Sequence, residues 1–313
     1  MARRDDVPLD RGARRGDRQP EVPGTAAVSG ATTVVGVIGD PVAHSLSPRL
    51  HNSAFGAMGL DWVSVGFAVA SGSGPAALVG IRALGIRGLS VTMPHKETVV
   101  ALVDRLTPAA LRVGAVNCVS NDGGVLEGDN TDGAGFVASL RNEAGFDPRG
   151  RACLVIGAGG AARAVIAGLA DAGASEVVVV NRSRDRAEVA ASVAGPVGRV
   201  GTREDVRACA LVVNATPVGM AGVGNGGGDG AGVGHGGDGM AGLPMPGAGQ
   251  LAVDLVYHPV STPWLEEARR TGATGMNGLG MLVHQAALQI ERWTGRPAPV
   301  AAMRRAVFPP PPG

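Results

Sequence analysis

Three polar clusters in the first half of the chain each follow a short apolar run: "GDPVAHSLSPRLHN" at 39–52, "VTMPHKE" at 91–97 and "GDNTDGAGF" at 128–136. Together they offer the hydroxyls of Ser45 and Ser47, several imidazoles, the ammonium of Lys96 and the carboxylate of Asp132. Ligands collect beyond the carboxyl ends of strands in α/β sheets, so these residue types in these places can do chemistry. A hydroxyl-rich loop suits an oxygen-rich anion. Lys96, or a histidine, can supply a proton to the alkoxide that forms when a ketone is reduced. Asp132 would orient Lys96 and favour its charged form, since opposite charges favour each other's ionised state. The same pairing makes Lys96 a good electrophile but a reluctant base at neutral pH, and which of the two transfers the proton stays open. Taken singly, Lys96 also suits a solvated surface and Asp132 a helix N-cap before "GAGFVASL".

The second half carries a different signal. "VIGAGGAARAV" sets Gly157, Gly159 and Ala162 in G-x-G-x-x-A spacing. An apolar strand precedes it, an amphipathic helix follows, and a second strand ends at Val180, which is the context of a dinucleotide site. The first glycine turns the chain, the second lets backbone approach a pyrophosphate, and the helix N-terminus offers unpaired N–H groups. An NAD site would end its second strand on Asp or Glu; here "NRSRDRA" puts Asn181 there, with Arg182 and Arg186 close behind. A carboxylate repels a 2′-phosphate and guanidiniums bind it, so NADP is the expected cofactor.

The elements that must position these residues alternate strand and helix, which predicts an α/β fold with largely parallel sheets. "TVVGVIG" (33–39) is the first strand. A helix starts near Ser47-Pro48, with Ser47 as N-cap and Leu50, Ala54 and Phe55 inward. "WVSVGFAV" and "GLSVTMP" are further strands, "HKETVVALVDRL" reads as an amphipathic helix, and "AVNCVSNDGGVLEGDNTD" as two strands about an Asn-Asp-Gly turn. A new α/β unit begins near residue 151, with later strands in "CALVVNAT" and "LAVDLVY", and a last helix in "MLVHQAALQIERW" (281–293).

Bulk properties exclude several partners. A net charge of +1 and balanced acidic and basic residues over 313 positions do not predict nucleic-acid or membrane binding. No apolar run approaches the roughly 20 residues of a membrane span. The N-terminal segment lacks the apolar stretch of a signal peptide. Cys118, Cys153 and Cys209 lie far apart without metal spacing, which fits buried thiols in a reducing, cytoplasmic setting, and no metal is expected. His235 lies in a Gly-rich tract and is read as incidental. Only 3% of residues are aromatic, so the cores must be built from Ala, Val, Leu and Ile.

Ten motifs occur in order: "GDPVAHSLSPRLHNSAF", "SVTMPHKE", "GAVNCV", "GDNTDGAGF", "GAGGAARA", "NRSRDRA", "NATPVGM", "DLVYHP", "TPWLEEAR" and "GLGMLVHQAALQIERWTG". As a set over residues 33–295, the chain resembles the shikimate dehydrogenase family. The resemblance implies a cytoplasmic enzyme of aromatic amino acid and chorismate biosynthesis that reversibly reduces 3-dehydroshikimate to shikimate with NADPH. It implies Lys96 and Asp132 as the catalytic pair, and Ser45 and Ser47 on the substrate carboxylate. Thr92, Asn117 and Gln285 would hold the ring hydroxyls, with Tyr257 close by. Gly157, Gly159, Gly160 and Ala161 would lie under the pyrophosphate; Asn181, Arg182, Ser183 and Arg186 would take the adenosine end; Thr216, Met220, Gly278 and Met281 would border the nicotinamide. His44 and His51 receive structural roles. Ser183 stands where Thr is more usual, and Asn277 where Asp is frequent.

The implied organisation is two lobes with the site between them. Residues 1–30 form a disordered tail, 31–135 the substrate-binding domain and 136–275 a Rossmann-type NADP-binding domain with a flexible Gly-rich insertion at 221–249. Residues 276–297 form a helix that returns to the first lobe, and 298–313 a disordered end. A monomer and a homodimer are both compatible with the sequence. Two rivals stay open: an NAD-preferring quinate/shikimate dehydrogenase of the same family, against which "SLS" and "NRS" speak, and a non-catalytic nucleotide sensor, which would have lost Lys96 or Asp132.

Overall fold

The computed structural model describes residues 28–220 and 243–308. The tail through residue 27, residues 221–242 of the insertion with His235, and residues 309–313 lie outside the described residues. Two six-stranded sheets make up the frame.

The first domain runs β1 (Thr33–Gly39), α1 (Ser47–Ala57), β2 (Trp62–Ala68), α2 (Gly74–Leu84), β3 (Gly88–Val91), β4 (Arg105–Leu106), α3 (Pro108–Val113), β5 (Cys118–Asp122) and β6 (Val125–Asp129). Its sheet has the order β2-β1-β3-β5-β6-β4 and is mixed: β1 pairs in parallel with β2 and β3, while β5 is antiparallel to β3 and β6. The second domain follows α4 (Asp132–Glu143) with β7 (Ala152–Ile156), α5 (Gly160–Asp171), β8 (Glu176–Val180), α6 (Arg184–Ser192), β9 (Gly198–Val200), β10 (Leu211–Asn214), β11 (Leu251–Asp254), α7 (Pro263–Arg270) and β12 (Thr274–Met276). All its pairings are parallel, in the order β12-β11-β10-β7-β8-β9. Two helices end the described chain, α8 (Leu279–Thr294) and α9 (Val300–Val307).

Strand alternation explains the layering. Along β7, Cys153 and Val155 face one core with α5 and α6, while Leu154 and Ile156 face another with α7. Val177 and Val179 against Val178, and Leu211 and Val213 against Val212, divide in the same way. Strands covered on both faces read as continuous apolar runs, as these do. In the first domain, α1, α8 and α9 cover one face around Val35, Phe55 and Trp293, and α2 and α3 the other around Leu89 and Val119. The last long helix therefore does return to the first lobe: Trp293 Nε1 donates to Val119 O at 3.0 Å.

Several local expectations need correction. Leu46, not Ser47, is the N-cap of α1: Ser47 is already the first residue of the helix, and no side chain caps it. "HKETVVALVDRL" gives only a 3-10 turn over Thr98–Ala101 and the short β4; its β-branched run disfavours a longer helix. The β5–β6 connection is the two-residue Gly123–Gly124 turn, so Asn121 and Asp122 of the expected Asn-Asp-Gly turn still pair in β5. Asp132 is the first residue of α4 and Thr131 its N-cap. The expected boundary at 135/136 falls inside α4, which is continuous through "GAG". Those small residues are needed for contact: a Cβ on Gly135 would lie 2.6 Å from the Gln285 backbone nitrogen on α8. The boundary at 275/276 falls inside β12.

The disordered end expected from 298 is helical in α9. Its Met303 is fully buried against α1 and α8, and Arg49 and Ser53 of α1 donate to Ala306 O and Ala302 O at 2.6 and 3.0 Å. Val300, Met303 and Val307 recur at helical spacing, a signal hidden beside the proline run. Residues 243–249 of the expected insertion are packed as well. Leu243 and Met245 pack against the α7 core, and Trp264 Nε1 donates to Pro244 O at 3.2 Å. No described helix is long and apolar enough to cross a membrane.

Candidate active site

The carboxyl edges of both sheets face one cavity of about 900 Å³ between the domains. Of the residues expected at the catalytic, substrate and cofactor positions, all but Ser183 line it.

On the first-domain side, the turn after β3 presents Lys96. His95 beneath it is buried and its Nε2 meets Val69 O at 2.6 Å, while Val116 N donates to Lys96 O at 2.8 Å, so the turn is anchored from two sides. Lys96 Nζ lies 2.6 Å from Asp132 Oδ2. The pair is sheltered unequally: the carboxylate side chain is 4% exposed and the ammonium side chain 20%. Asp132 Oδ1 accepts from Asn117 Nδ2 at 2.8 Å, and its backbone N–H donates to Asn130 Oδ1 at 3.1 Å. A carboxylate held by a counter-ion and a hydrogen bond is fixed in position.

Asn117, at the start of β5 and buried, is the hub of this wall. Its Oδ1 accepts from Thr131 N at 2.8 Å; its Nδ2 also reaches Thr131 Oγ1 at 2.9 Å and Gln285 Oε1 at 3.2 Å. Thr131 Oγ1 in turn donates to Gln285 O at 3.1 Å, tying α8 to the start of α4. Ser45 and Ser47 stand above, at the start of α1, and Ser45 Oγ accepts from Ser47 N at 3.3 Å. Ser90 and Thr92, at the end of β3, complete this side.

On the second-domain side, β7 ends in the Gly-rich turn. Gly157 has φ +116°, a conformation an L side chain rarely adopts, and a Cβ there would lie 3.1 Å from Ala215 O. Gly159 is the N-cap of the twelve-residue α5, so the free N–H groups of Gly160 and Ala161 open on the cavity. At the far end, Asn181, Arg182 and Arg186 gather beyond β8. Arg203, from a short 3-10 segment Arg203–Ala208 after the neighbouring β9, joins them. Ser183 lies outside the lining: it caps α6, its Oγ accepting from Arg186 N at 3.4 Å.

The third wall comes from the ends of β10 and β11. Asp254 is fully buried and accepts from Thr262 Oγ1 (2.6 Å), Val256 N (3.0 Å) and Asn214 Nδ2 (3.2 Å). Burial pushes its carboxyl up from the ordinary range, against these three donors. Asn214 Oδ1 accepts from Thr216 Oγ1 and N at 2.7 and 3.1 Å. One buried carboxylate thus braces both loops, which carry Thr216, Met220 and Tyr257 into the cavity. Burial raises the Tyr257 phenol, which keeps it a neutral donor at physiological pH. Gly278 and Met281 close this side where α8 begins. Asn277 Oδ1 accepts from Leu279 N, the first residue of α8, at 3.1 Å, so Asn in place of Asp still supplies an acceptor just before the helix.

Some residues escape sequence reading. Ser90 looks like one more polar position in a buried strand. Arg203 lies some twenty residues beyond the other guanidiniums and joins them only because β9 is the neighbour of β8. Leu243 and Pro244 also line the cavity although they end the Gly-rich tract. Away from the cavity, His51 is buried with its Nδ1 2.9 Å from Ser64 Oγ, a structural role as expected; His44 is exposed. The three cysteines are buried, and burial raises Cys153 to about 12 and Cys209 to about 11, far from thiolate reactivity.

Comparisons with known proteins agree with this geometry. Residues 37–119 match the shikimate dehydrogenase substrate binding domain, 141–210 the shikimate / quinate 5-dehydrogenase family and 278–308 the shikimate 5'-dehydrogenase C-terminal domain. The chain is 44% identical over 292 residues to the shikimate dehydrogenase (NADP(+)) of Moorella thermoacetica, covering 89% of this chain and 93% of that one. It is 45% identical over 295 residues to the enzyme of the same name from Methanopyrus kandleri, covering 91% and 98%. Among solved structures, the shikimate 5-dehydrogenase of Thermus thermophilus in complex with NADP(H) and shikimate superposes with a TM-score of 0.76 at 37% identity, over 88% of this chain and 98% of that one.

Proposed function

The chain belongs to the shikimate dehydrogenase family, and on that premise we propose that it catalyses the NADP-dependent, reversible reduction of 3-dehydroshikimate to shikimate, with Lys96 and Asp132 as the catalytic pair. The observation that carries this reading is the convergence in one cavity of the Lys96–Asp132 pair and the N-terminus of α5.

The residues fit a phosphorylated dinucleotide. The bare Gly157 turn admits backbone approach, and the α5 N–H groups suit a pyrophosphate. Asn181 at the end of β8 sets no carboxylate against a 2′-phosphate. Arg182 and Arg186 supply guanidiniums that are paired to no carboxylate among the described residues. Bound there, the reduced nicotinamide supplies hydride. Thr216, Met220, Gly278 and Met281 would border it and keep water out.

The chain's own groups handle the proton and the substrate's position. The Lys96 ammonium lies where it can stabilise a developing alkoxide and return a proton to it. Asp132 holds Lys96 in place and can accept from a ring hydroxyl. Ser45 and Ser47 would donate to the substrate carboxylate. Thr92, Asn117 and Gln285 would read the ring hydroxyls, with the Tyr257 phenol nearby. Hydroxyls in place of an arginine make carboxylate binding moderate, so discrimination falls to the ring contacts. A buried polar group left unpaired by a deoxy analogue costs heavily.

The test is steady-state NADPH formation from shikimate at mildly alkaline pH, run in parallel with quinate and with NAD. Shikimate with NADP is expected to give the highest kcat/KM by at least about tenfold. A preference for quinate with NAD would replace this reading by its family rival, and no turnover with any combination would remove it.

A further inference from the structure

Gln289 lies one helical turn beyond Gln285 on α8, is fully buried and does not touch the cavity. Its Nε2 donates to Gln285 Oε1 at 2.8 Å and to Asn117 O at 3.1 Å. A backbone carbonyl only accepts, so this end of the amide is the nitrogen and Oε1 points the other way. Gln289 Oε1 and His51 Nε2 are both buried, and as placed neither meets hydrogen-bond geometry with any group. The two side chains are nonetheless within reach of each other, and pairing them satisfies both.

That pairing sets a direction. Burial lowers His51 to about 3, so the ring is neutral, with one donor nitrogen and one acceptor. If Nε2 donates to Gln289 Oε1, Nδ1 must accept from the Ser64 hydroxyl, which lies 2.9 Å away. Hydrogen bonds then run one way, from Ser64 through His51 and Gln289 to Gln285. Gln285 Oε1 receives Gln289 Nε2 at 2.8 Å and is also approached by Asn117 Nδ2 at 3.2 Å, so it is turned toward these two amides. Gln285 Nε2 spends one proton on Leu282 O at 2.9 Å and keeps one.

We propose that Gln289 is a positioning residue: oriented by His51, it holds the Gln285 amide so that only an N–H, never a carbonyl oxygen, faces the substrate. The inference rests on the reading above that Gln285 contacts a ring hydroxyl. It adds that this hydroxyl is bound through its oxygen as an acceptor.

Gln289→Met keeps the length of the side chain and removes both polar ends. It is expected to raise KM for shikimate about tenfold, equivalent to about 1.4 kcal/mol, while kcat and KM for NADP change by less than about twofold. In a Gln285→Ala background the same substitution should change KM by less than about twofold, because residues acting through one another are not additive. An unchanged KM in Gln289→Met, or an equal rise in both backgrounds, overturns the proposal, the second outcome marking a mere packing role. Nitrogen-15 NMR of the wild-type histidines gives a readout independent of any variant's folding: His51 should carry its proton on Nε2, and a proton on Nδ1 overturns the relay. Failure of the wild type to oxidise shikimate would sink the functional reading instead. Activity with a raised KM in Gln285→Ala but a normal one in Gln289→Met would sink only this inference.

Discussion

His51 offers a test in which sign and size both follow from its surroundings. It is fully buried, its Nδ1 is held by Ser64, and the Trp293 ring meets it edge-on at 5.1 Å between centroids. Burial lowers its pKa from 6.5 to about 3. Between those values the unfolded chain binds a proton that the folded chain refuses, so stability rises with pH across the window. The contribution is complete above about pH 6.5 and is lost as pH falls towards 3. At about 1.4 kcal/mol per unit, lowering the pH from 7 to 5 removes about 2 kcal/mol. His51→Leu abolishes that dependence but strands the Ser64 hydroxyl and Gln289 Oε1, which costs about 1–3 kcal/mol at pH 7. The variant should therefore be the less stable protein at pH 7, and the gap should close by about 2 kcal/mol at pH 5. Urea unfolding followed by tryptophan emission at pH 7, 6 and 5 measures it, with Trp293 reporting directly. Parallel stability curves for the two proteins would refute the reasoning.

Two further outcomes follow from the cavity. Lys96→Ala should lower kcat by about 10²–10⁴-fold, the range of a positioned proton donor, with a smaller change in KM for shikimate. Asp132 keeps its 2.8 Å bond from Asn117 in that variant, so circular dichroism should be unchanged; near-normal turnover would remove Lys96 from the mechanism. Arg186→Ala should cut kcat/KM with NADP by about 10–100-fold, the loss of one charge-assisted hydrogen bond of about 1.5–3 kcal/mol, and leave NAD almost untouched. Equal losses with both cofactors would place Arg186 outside the 2′-phosphate site.

The parts legible in the sequence share a cause: their signal is local. Buried parallel strands such as "EVVVV" and "LAVD" declare themselves by composition, and the Gly157 turn by spacing. Lys96, Asp132 and the serines follow strand ends, where an α/β sheet opens. The misread parts were those in which distant contacts decide. The boundary expected at 135/136 falls inside α4, where Gly135 is what α8 requires to approach and Gly133 what α5 requires. α9 hid beside a proline run because its helix is fixed by Met303 against α1 and α8.

From its residues alone this chain determined its fold class, its two-lobe plan and the types of group that could act, because periodicity and strand-end chemistry are properties of short segments. Only the tertiary structure decided that Lys96 meets Asp132 at 2.6 Å, that Asn117 binds α4 to α8, and that Arg203 joins Arg182 and Arg186. These juxtapositions depend on which strands are neighbours and on where α8 crosses back, and no local pattern of residues encodes either.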